Sequence, residues 1–127
     1  MEYLCDKILK TNIMLKPFSD VPITYFPNWI SDPDKLFEEL KALDWVRIGN
    51  TPRSEYYVNV HNVPYTYGRE PYSRTYHPQE LTPAIQTLML NLTLLNNENM
   101  DVCFLNRYHD GKDQLGWHAD DSPEMDD

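Results

Sequence analysis

The stretch whose reading decides the fold is MDVCFLNRYHDGKDQLGWHADD, Met100 to Asp121. Its first part alternates. Val102, Phe104, Asn106 and Tyr108 fall on one face of a strand, and Cys103, Leu105, Arg107 and His109 on the other, because successive strand side chains point to opposite sides. HDGKD, 109–113, reads as a turn, with Asp and Gly where turns favour them. LGWHAD, 115–120, reads as the next strand. On such a strand His118 and Asp120, two positions apart, project from one face. An imidazole and a carboxylate converging from one strand are two thirds of the facial triad that holds Fe(II) and leaves coordination positions open. Asn106 and Tyr108 share a face of the strand before it. If the two strands are neighbours with these faces inward, four polar groups line one cavity.

The segments upstream read as a mixed chain. VPITYF, 21–26, is a short edge strand, since Pro22 cannot donate to a ladder. SDPDKLFEELKALDW is a helix, capped by Ser31 or Asp32, with Pro33 in its first turn and Leu36, Phe37, Leu40 and Leu43 as its apolar stripe. Residues 51–80 are rich in Tyr and Pro and lack helical periodicity; YYVNV within them is strand-like. LTPAIQTLMLNLTLLNN is a second helix, capped by Thr82 and opened by Pro83, with Ile85, Leu88, Met89, Leu92 and Leu95 along one side. The Asn91-Leu92-Thr93 sequon falls within this helix and reads as helix rather than as a glycan acceptor.

Composition narrows the function classes. The chain has 127 residues, enough for one domain, with 41% hydrophobic and 24% charged residues, as in soluble proteins. The net charge of −9 argues against a general nucleic-acid coat, which needs Lys and Arg. The distribution matters more. Residues 45–77 carry Arg47, Arg53, Arg69 and Arg74 against Glu55 and Glu70, making the only locally positive segment, and it is also dense in aromatics. Residues 78–127 carry Arg107 and Lys112 against ten acids. Cys5 and Cys103 are too few for a disulfide framework. No signal peptide or membrane span is legible, so the expected location is cytoplasmic, or nuclear in a eukaryote, and not secreted.

Taken singly, the pieces are weak. HxD recurs by chance in many chains. His109 reads as a surface residue beside a turn, His61 and His77 as polar surface residues, and Asp121, Glu124, Asp126 and Asp127 as a solvated acidic tail. Together, Asn106, Tyr108, Gly111, Asp113, His118 and Asp120 form the run N-x-Y-x-x-G-x-D-x-x-x-x-H-x-D. That run resembles the AlkB family of Fe(II)- and 2-oxoglutarate-dependent dioxygenases, and most of all its subgroup that repairs alkylated bases. Pro52-Arg53 and PYTYG, Pro64 to Gly68, look like that family's nucleotide-recognition segment.

The resemblance covers about residues 20–127. It implies an α+β fold: an incomplete double-stranded β-helix, or jelly roll, with two N-terminal-side helices packed on the sheet. It further implies that His118 and Asp120 bind Fe(II) and that Asn106 and Tyr108 contact 2-oxoglutarate. Arg53, Tyr65, Tyr67 and Asp121 would then face the nucleic acid, Tyr67 by stacking and Asp121 close to the base. The implied reaction is oxidative dealkylation: 2-oxoglutarate becomes succinate, the alkyl group leaves as an aldehyde, and the normal base of DNA or RNA is restored. Such an enzyme must first take the base out of its stack.

The resemblance also sets a limit. The family's second metal His and the Arg that pairs with the far carboxylate of 2-oxoglutarate lie downstream of HxD, and no residue up to Asp127 can be assigned to either. The expectation is therefore a single AlkB-like domain over 1–127, truncated at its C-terminus and completed by a missing segment or a second polypeptide. Ser122 stands where relatives often carry another acid. The alternative is a nucleic-acid-binding or interaction module of the same ancestry without catalysis, which for the 127 residues alone is the preferred reading. The isolated chain is accordingly expected not to turn over 2-oxoglutarate. Succinate formed with Fe(II) and abolished by His118→Ala would contradict this.

Overall fold

The structure is a computed structural model that describes residues 16–17 and 23–118. These residues form six strands and two helices: β1 (Lys16–Pro17), β2 (Thr24–Tyr25), α1 (Pro33–Lys41), β3 (Ser54–Asn59), β4 (Tyr65–Tyr67), β5 (Arg74–Tyr76), α2 (Pro83–Asn96) and β6 (Val102–Arg107). The class is α+β, as the resemblance implies. The strands pair as three antiparallel two-stranded sheets, β1–β2, β3–β6 and β4–β5, so the described residues do not by themselves make a jelly roll. The chain divides into two compact units, residues 1–42 with 82–100, and residues 43–81 with 101–127.

The first unit holds β1, β2 and both helices. The sequence expects a strand over 21–26; the described pairing is confined to Thr24 and Tyr25. Asp32 caps α1, its carboxylate accepting from the Lys35 N–H at 3.1 Å, so the cap falls on the second of the two expected residues. The helix buries no residue. Leu36, Leu40 and Leu43 are partly covered, but Phe37 is 61% exposed, with the Lys41 ammonium 5.9 Å from its ring centroid. A step of one residue turns a helix by about 100°, which puts Phe37 at the margin of the stripe rather than within it. In α2 the expected stripe holds: Ile85 and Met89 are buried, while Leu88, Leu92 and Leu95 are partly covered. Thr82 caps the helix, and Asn97, in the left-handed conformation at φ 56°, ends it where Gly would more often stand. A groove of about 420 Å³ runs between the helices, lined by Trp29, Leu36, Ala84 and Leu88 among others. None of the residues expected to carry chemistry lines it.

The second unit is built on the β3–β6 ladder. Ser54 pairs with Arg107, Glu55 with Asn106, Tyr56 with Leu105, Tyr57 with Phe104, Val58 with Cys103 and Asn59 with Val102. All of Ser54–Val58 is buried. On its other edge Glu55 exchanges both backbone hydrogen bonds with Val46, at 2.7 and 3.0 Å. Its N–H and C=O therefore point away from β6, which makes Glu55 and Asn106 a non-hydrogen-bonded pair, the type whose side chains approach more closely.

One face of the ladder is aromatic. Tyr57 lies 5.8 Å from Phe104 and 6.2 Å from Tyr65, and Tyr76 meets Phe104 edge-on at 4.9 Å. Such pairs contribute about 0.5–1.5 kcal/mol each beyond area burial. The Tyr57 hydroxyl donates to the Val63 carbonyl at 2.9 Å and accepts from the Asn59 amide at 3.1 Å. Of the strand expected at LGWHAD, residues 119 and 120 lie outside the described residues, and residues 115–118 take no strand conformation. A strand is held by a ladder, and no described strand lies alongside them.

Because Tyr57 is 4% exposed at the centre of this layer, Tyr57→Ala is expected to cost about 3–5 kcal/mol. Tyr57→Phe, which removes only the hydroxyl, should cost about 1 kcal/mol. Urea unfolding of the three proteins checks both, and equal midpoints for Tyr57→Ala and the unaltered chain would contradict the assignment of the core.

Candidate functional site

The polar end of the aromatic face gathers the residues of interest. Alternation along β3 puts Arg53, Glu55 and Tyr57 on the same side as Phe104, Asn106 and Tyr108 of β6, as the register requires. One step past Arg107 and Ser54, the same register sets Tyr108 opposite Arg53. The Arg53 Nε–H donates to Glu55 Oε1 at 3.0 Å. Burial alone would lower the Arg53 pKa; neighbouring Tyr108 and Glu55 outweigh it and hold the group above its ordinary value.

Glu55 is 2% exposed, and its Oε2 meets no donor in hydrogen-bonding geometry among the described residues. The Tyr76 hydroxyl stands beside it without such alignment. Burial raises the Tyr76 pKa, neighbouring Glu55 adds to this, and neighbouring Arg74 opposes it. Asn106 is exposed and Tyr108 is 41% exposed, so both reach solvent from the rim of the layer.

The β4–β5 hairpin separates the two tyrosines that the sequence singles out. Tyr65 stacks on Tyr76 at 6.2 Å and 16° and leans on Tyr57, so its ring is part of the core layer. Tyr67 is 52% exposed and pairs across the hairpin with Arg74, which is also exposed, as is Arg69. Of the two rings, Tyr67 is the one with an accessible face. Thr66 and Thr75 share a hydrogen bond of 2.8 Å that fixes the hairpin register.

The opposite face of β3–β6 anchors the segment leading to His118. Ser54 Oγ lies 2.7 Å from His109 Nε2, which places His109 on the face away from Asn106, as expected. Arg107 sits 6.0 Å over the Trp45 ring, which meets Tyr56 edge-on. In the turn, Asp110 accepts from the Lys112 N–H at 2.7 Å and the Asp113 N–H at 3.2 Å. Asp113 accepts from the His109 N–H at 3.0 Å and binds Arg47 with both carboxylate oxygens, at 2.9 and 3.4 Å. These bonds, the backbone one first and Arg47 second, hold the Asp113 carboxyl below the usual carboxylate range.

His118 is exposed, with Nδ1 2.8 Å from the Gly116 carbonyl. A carbonyl only accepts, so Nδ1 carries the proton and in the neutral ring the lone pair is on Nε2. That is the tautomer in which a histidine ligates a metal through Nε2, so His118 fits the role. Asp120 and Asp121 lie outside the described residues. Among the described residues no group of three or more His, Cys, Asp or Glu is gathered to hold a metal ion.

Two contributors went unread in the sequence. Glu55 sits in PRSEYYV, where a charge two places from Arg53 inside an otherwise buried strand is the available signal. The Arg47–Asp113 pair spans 66 positions and leaves no local signal.

No protein-family model matches the chain. The chain is similar to the DNA oxidative demethylase ALKBH2 of Bos taurus, 26% identical over 103 residues, covering 75% of this chain and 37% of the relative. It therefore spans little more than a third of the length of that relative.

The depressed Asp113 pKa fixes the sign of a pH effect. A carboxyl titrating lower in the folded state stabilises fully above its unfolded-state pKa of about 3.9, and the contribution is lost as the pH falls through the folded value. Asp113→Asn should thus be less stable than the unaltered chain at neutral pH, and the difference should shrink as the pH drops below the ordinary carboxylate range. Urea unfolding across that range tests this; a difference that grows on acidification would contradict it.

Proposed function

We propose that the chain carries the co-substrate and base-facing part of an Fe(II)- and 2-oxoglutarate-dependent dioxygenase that oxidatively dealkylates bases in DNA. The observation that carries this reading is the convergence of Arg53, Asn106 and Tyr108 on one sheet face, next to a hairpin that exposes Tyr67 beside Arg74. Similarity to a DNA oxidative demethylase supports it independently.

Asn106 and Tyr108 offer an amide and a phenol to a carboxylate, and that carboxylate is the co-substrate's. Tyr67 gives a π-face on which an extruded base stacks, and Arg69 and Arg74 are placed to meet phosphates. Tyr65 walls the base site through its contact with Tyr76, and Asp121 would face the base. His118 and Asp120 would hold the iron, which with 2-oxoglutarate supplies the oxidising chemistry. The place of action is the cytoplasm or, in a eukaryote, the nucleus.

Two measurements test the reading. Tyr67→Ala should weaken binding to a single strand bearing a methylated base by roughly tenfold, as loss of one stacking platform implies. An unchanged affinity in fluorescence anisotropy would count against base stacking. Calorimetric titration with Mn(II) should show affinity that falls in both His118→Ala and Asp120→Ala, and unaltered binding in both would remove the metal assignment.

A further inference from the structure

We propose that Arg47 is a positioning residue of the metal half-site: by gripping Asp113 it fixes the 109–113 turn from which the segment bearing His118 departs, and this raises the affinity of that segment for a metal ion. The inference deepens the metal reading of His118 and rests on it.

Arg47 is itself held at both ends. Its neighbour Val46 exchanges two backbone hydrogen bonds with Glu55, at 2.7 and 3.0 Å, so Arg47 departs from the edge of the β3–β6 ladder. Its Nε–H donates to the Thr51 carbonyl at 3.0 Å. Thr51 is 4% exposed, and its hydroxyl donates to the Arg53 carbonyl at 3.0 Å, so that acceptor belongs to a fixed loop. With Nε occupied, the two terminal nitrogens face the Asp113 carboxylate, at 2.9 Å to Oδ1 and 3.4 Å to Oδ2. A guanidinium carries its donors in a planar fork, and this arrangement engages every nitrogen of it.

Asp113 relays the hold to the turn. Its Oδ2 also accepts from the His109 N–H at 3.0 Å, so one carboxylate joins the first and last residues of the turn to Arg47. Ser54 Oγ, 2.7 Å from His109 Nε2, supplies a second point of attachment on the ladder. An ion pair open to solvent contributes little to stability by itself. Here the Asp113 side chain is only 13% exposed, and the pair joins positions 66 apart. It sits just before a stretch that the ladder does not reach, since β6 ends at Arg107 and residues 114–118 take no strand conformation. Ordering a segment costs conformational entropy. Where folding has already ordered the turn, less of that cost falls on metal binding. Groups that orient a metal ligand from behind typically contribute about 10–100-fold in affinity.

The test uses the full chain with Mn(II) as probe, and calorimetric affinity is read beside amide exchange of the 15N-labelled, metal-free protein. Arg47→Ala should weaken Mn(II) binding about tenfold and speed exchange of the His109 N–H, while the amides of the β3–β6 ladder keep their protection. Arg47→Lys cannot hold the Thr51 carbonyl and both carboxylate oxygens together, so it should lose affinity as well, and it decides if Arg47→Ala does not fold. Because Arg47 acts through Asp113, the double variant Arg47→Ala, Asp113→Ala should bind no more weakly than Asp113→Ala alone. Tyr57→Phe, destabilised in the same unit away from the turn, should bind Mn(II) as the unaltered chain does. Losses that add in the double variant, an Arg47 variant with unchanged affinity, or a loss in Tyr57→Phe as large as that in Arg47→Ala overturns the proposal. Binding that is absent from the unaltered chain, or indifferent to His118→Ala, overturns the metal reading and this inference together. Binding that needs His118 and is indifferent to Arg47 overturns this inference alone.

Discussion

Glu55 carries its charge to 2% exposure and meets Arg53 Nε at 3.0 Å, two residues back on the same strand face. Much of the second unit follows from that pair. A one-residue slip of β6 against β3 would turn Asn106 and Tyr108 to the face that holds Trp45 and Tyr56, and would set Arg107 opposite Glu55. The observed register keeps the guanidinium of Arg107 over Trp45 and sets Tyr108 opposite Arg53. Burying a carboxylate is costly enough that it must keep its cation, so pairing and register specify each other.

The two faces of the ladder divide the work. The aromatic face packs Tyr57, Phe104, Tyr76 and Tyr65 and ends in polar groups at its rim. The other face fixes the backbone that continues beyond β6. Ser54 holds the His109 ring and Arg47 holds Asp113, so the turn is tied to two upstream segments. Asp113, which the motif spacing marks without assigning it work, is thus a tether for the loop that carries His118. Its sensitivity to acid belongs to that loop rather than to the reacting groups.

What the sequence discloses and what it hides follow from range. The alternation of Val102–Tyr108 is local, and both faces of β6 are assigned correctly from it. The stripe of α2 is legible because its apolar positions recur at helical spacing, and Thr82 with Pro83 marks its start. Phe37 misleads because a single apolar residue beside a stripe satisfies the pattern without being inside it. The strand expected at Leu115–Asp120 fails over its described part because two-residue alternation cannot supply a neighbour to pair with. Glu55 is hidden for a related reason. Its partner in register, Asn106, is 51 positions away, and nothing in either local stretch says that they face each other.

This dependence on range bears on how much a motif can establish. N-x-Y names an amide and a phenol, but a phenol is both donor and acceptor, and the motif does not say which it is. In this chain the register sets Tyr108 opposite Arg53, whose Nε–H is held by Glu55 two residues on along the same strand face. With an identity of 26% to a relative of which it covers 37%, similarity alone leaves the polarity of the site open. What the ladder adds is an ion pair, Arg53 with the buried Glu55, on the face that carries Asn106 and Tyr108, a constraint that no local motif states.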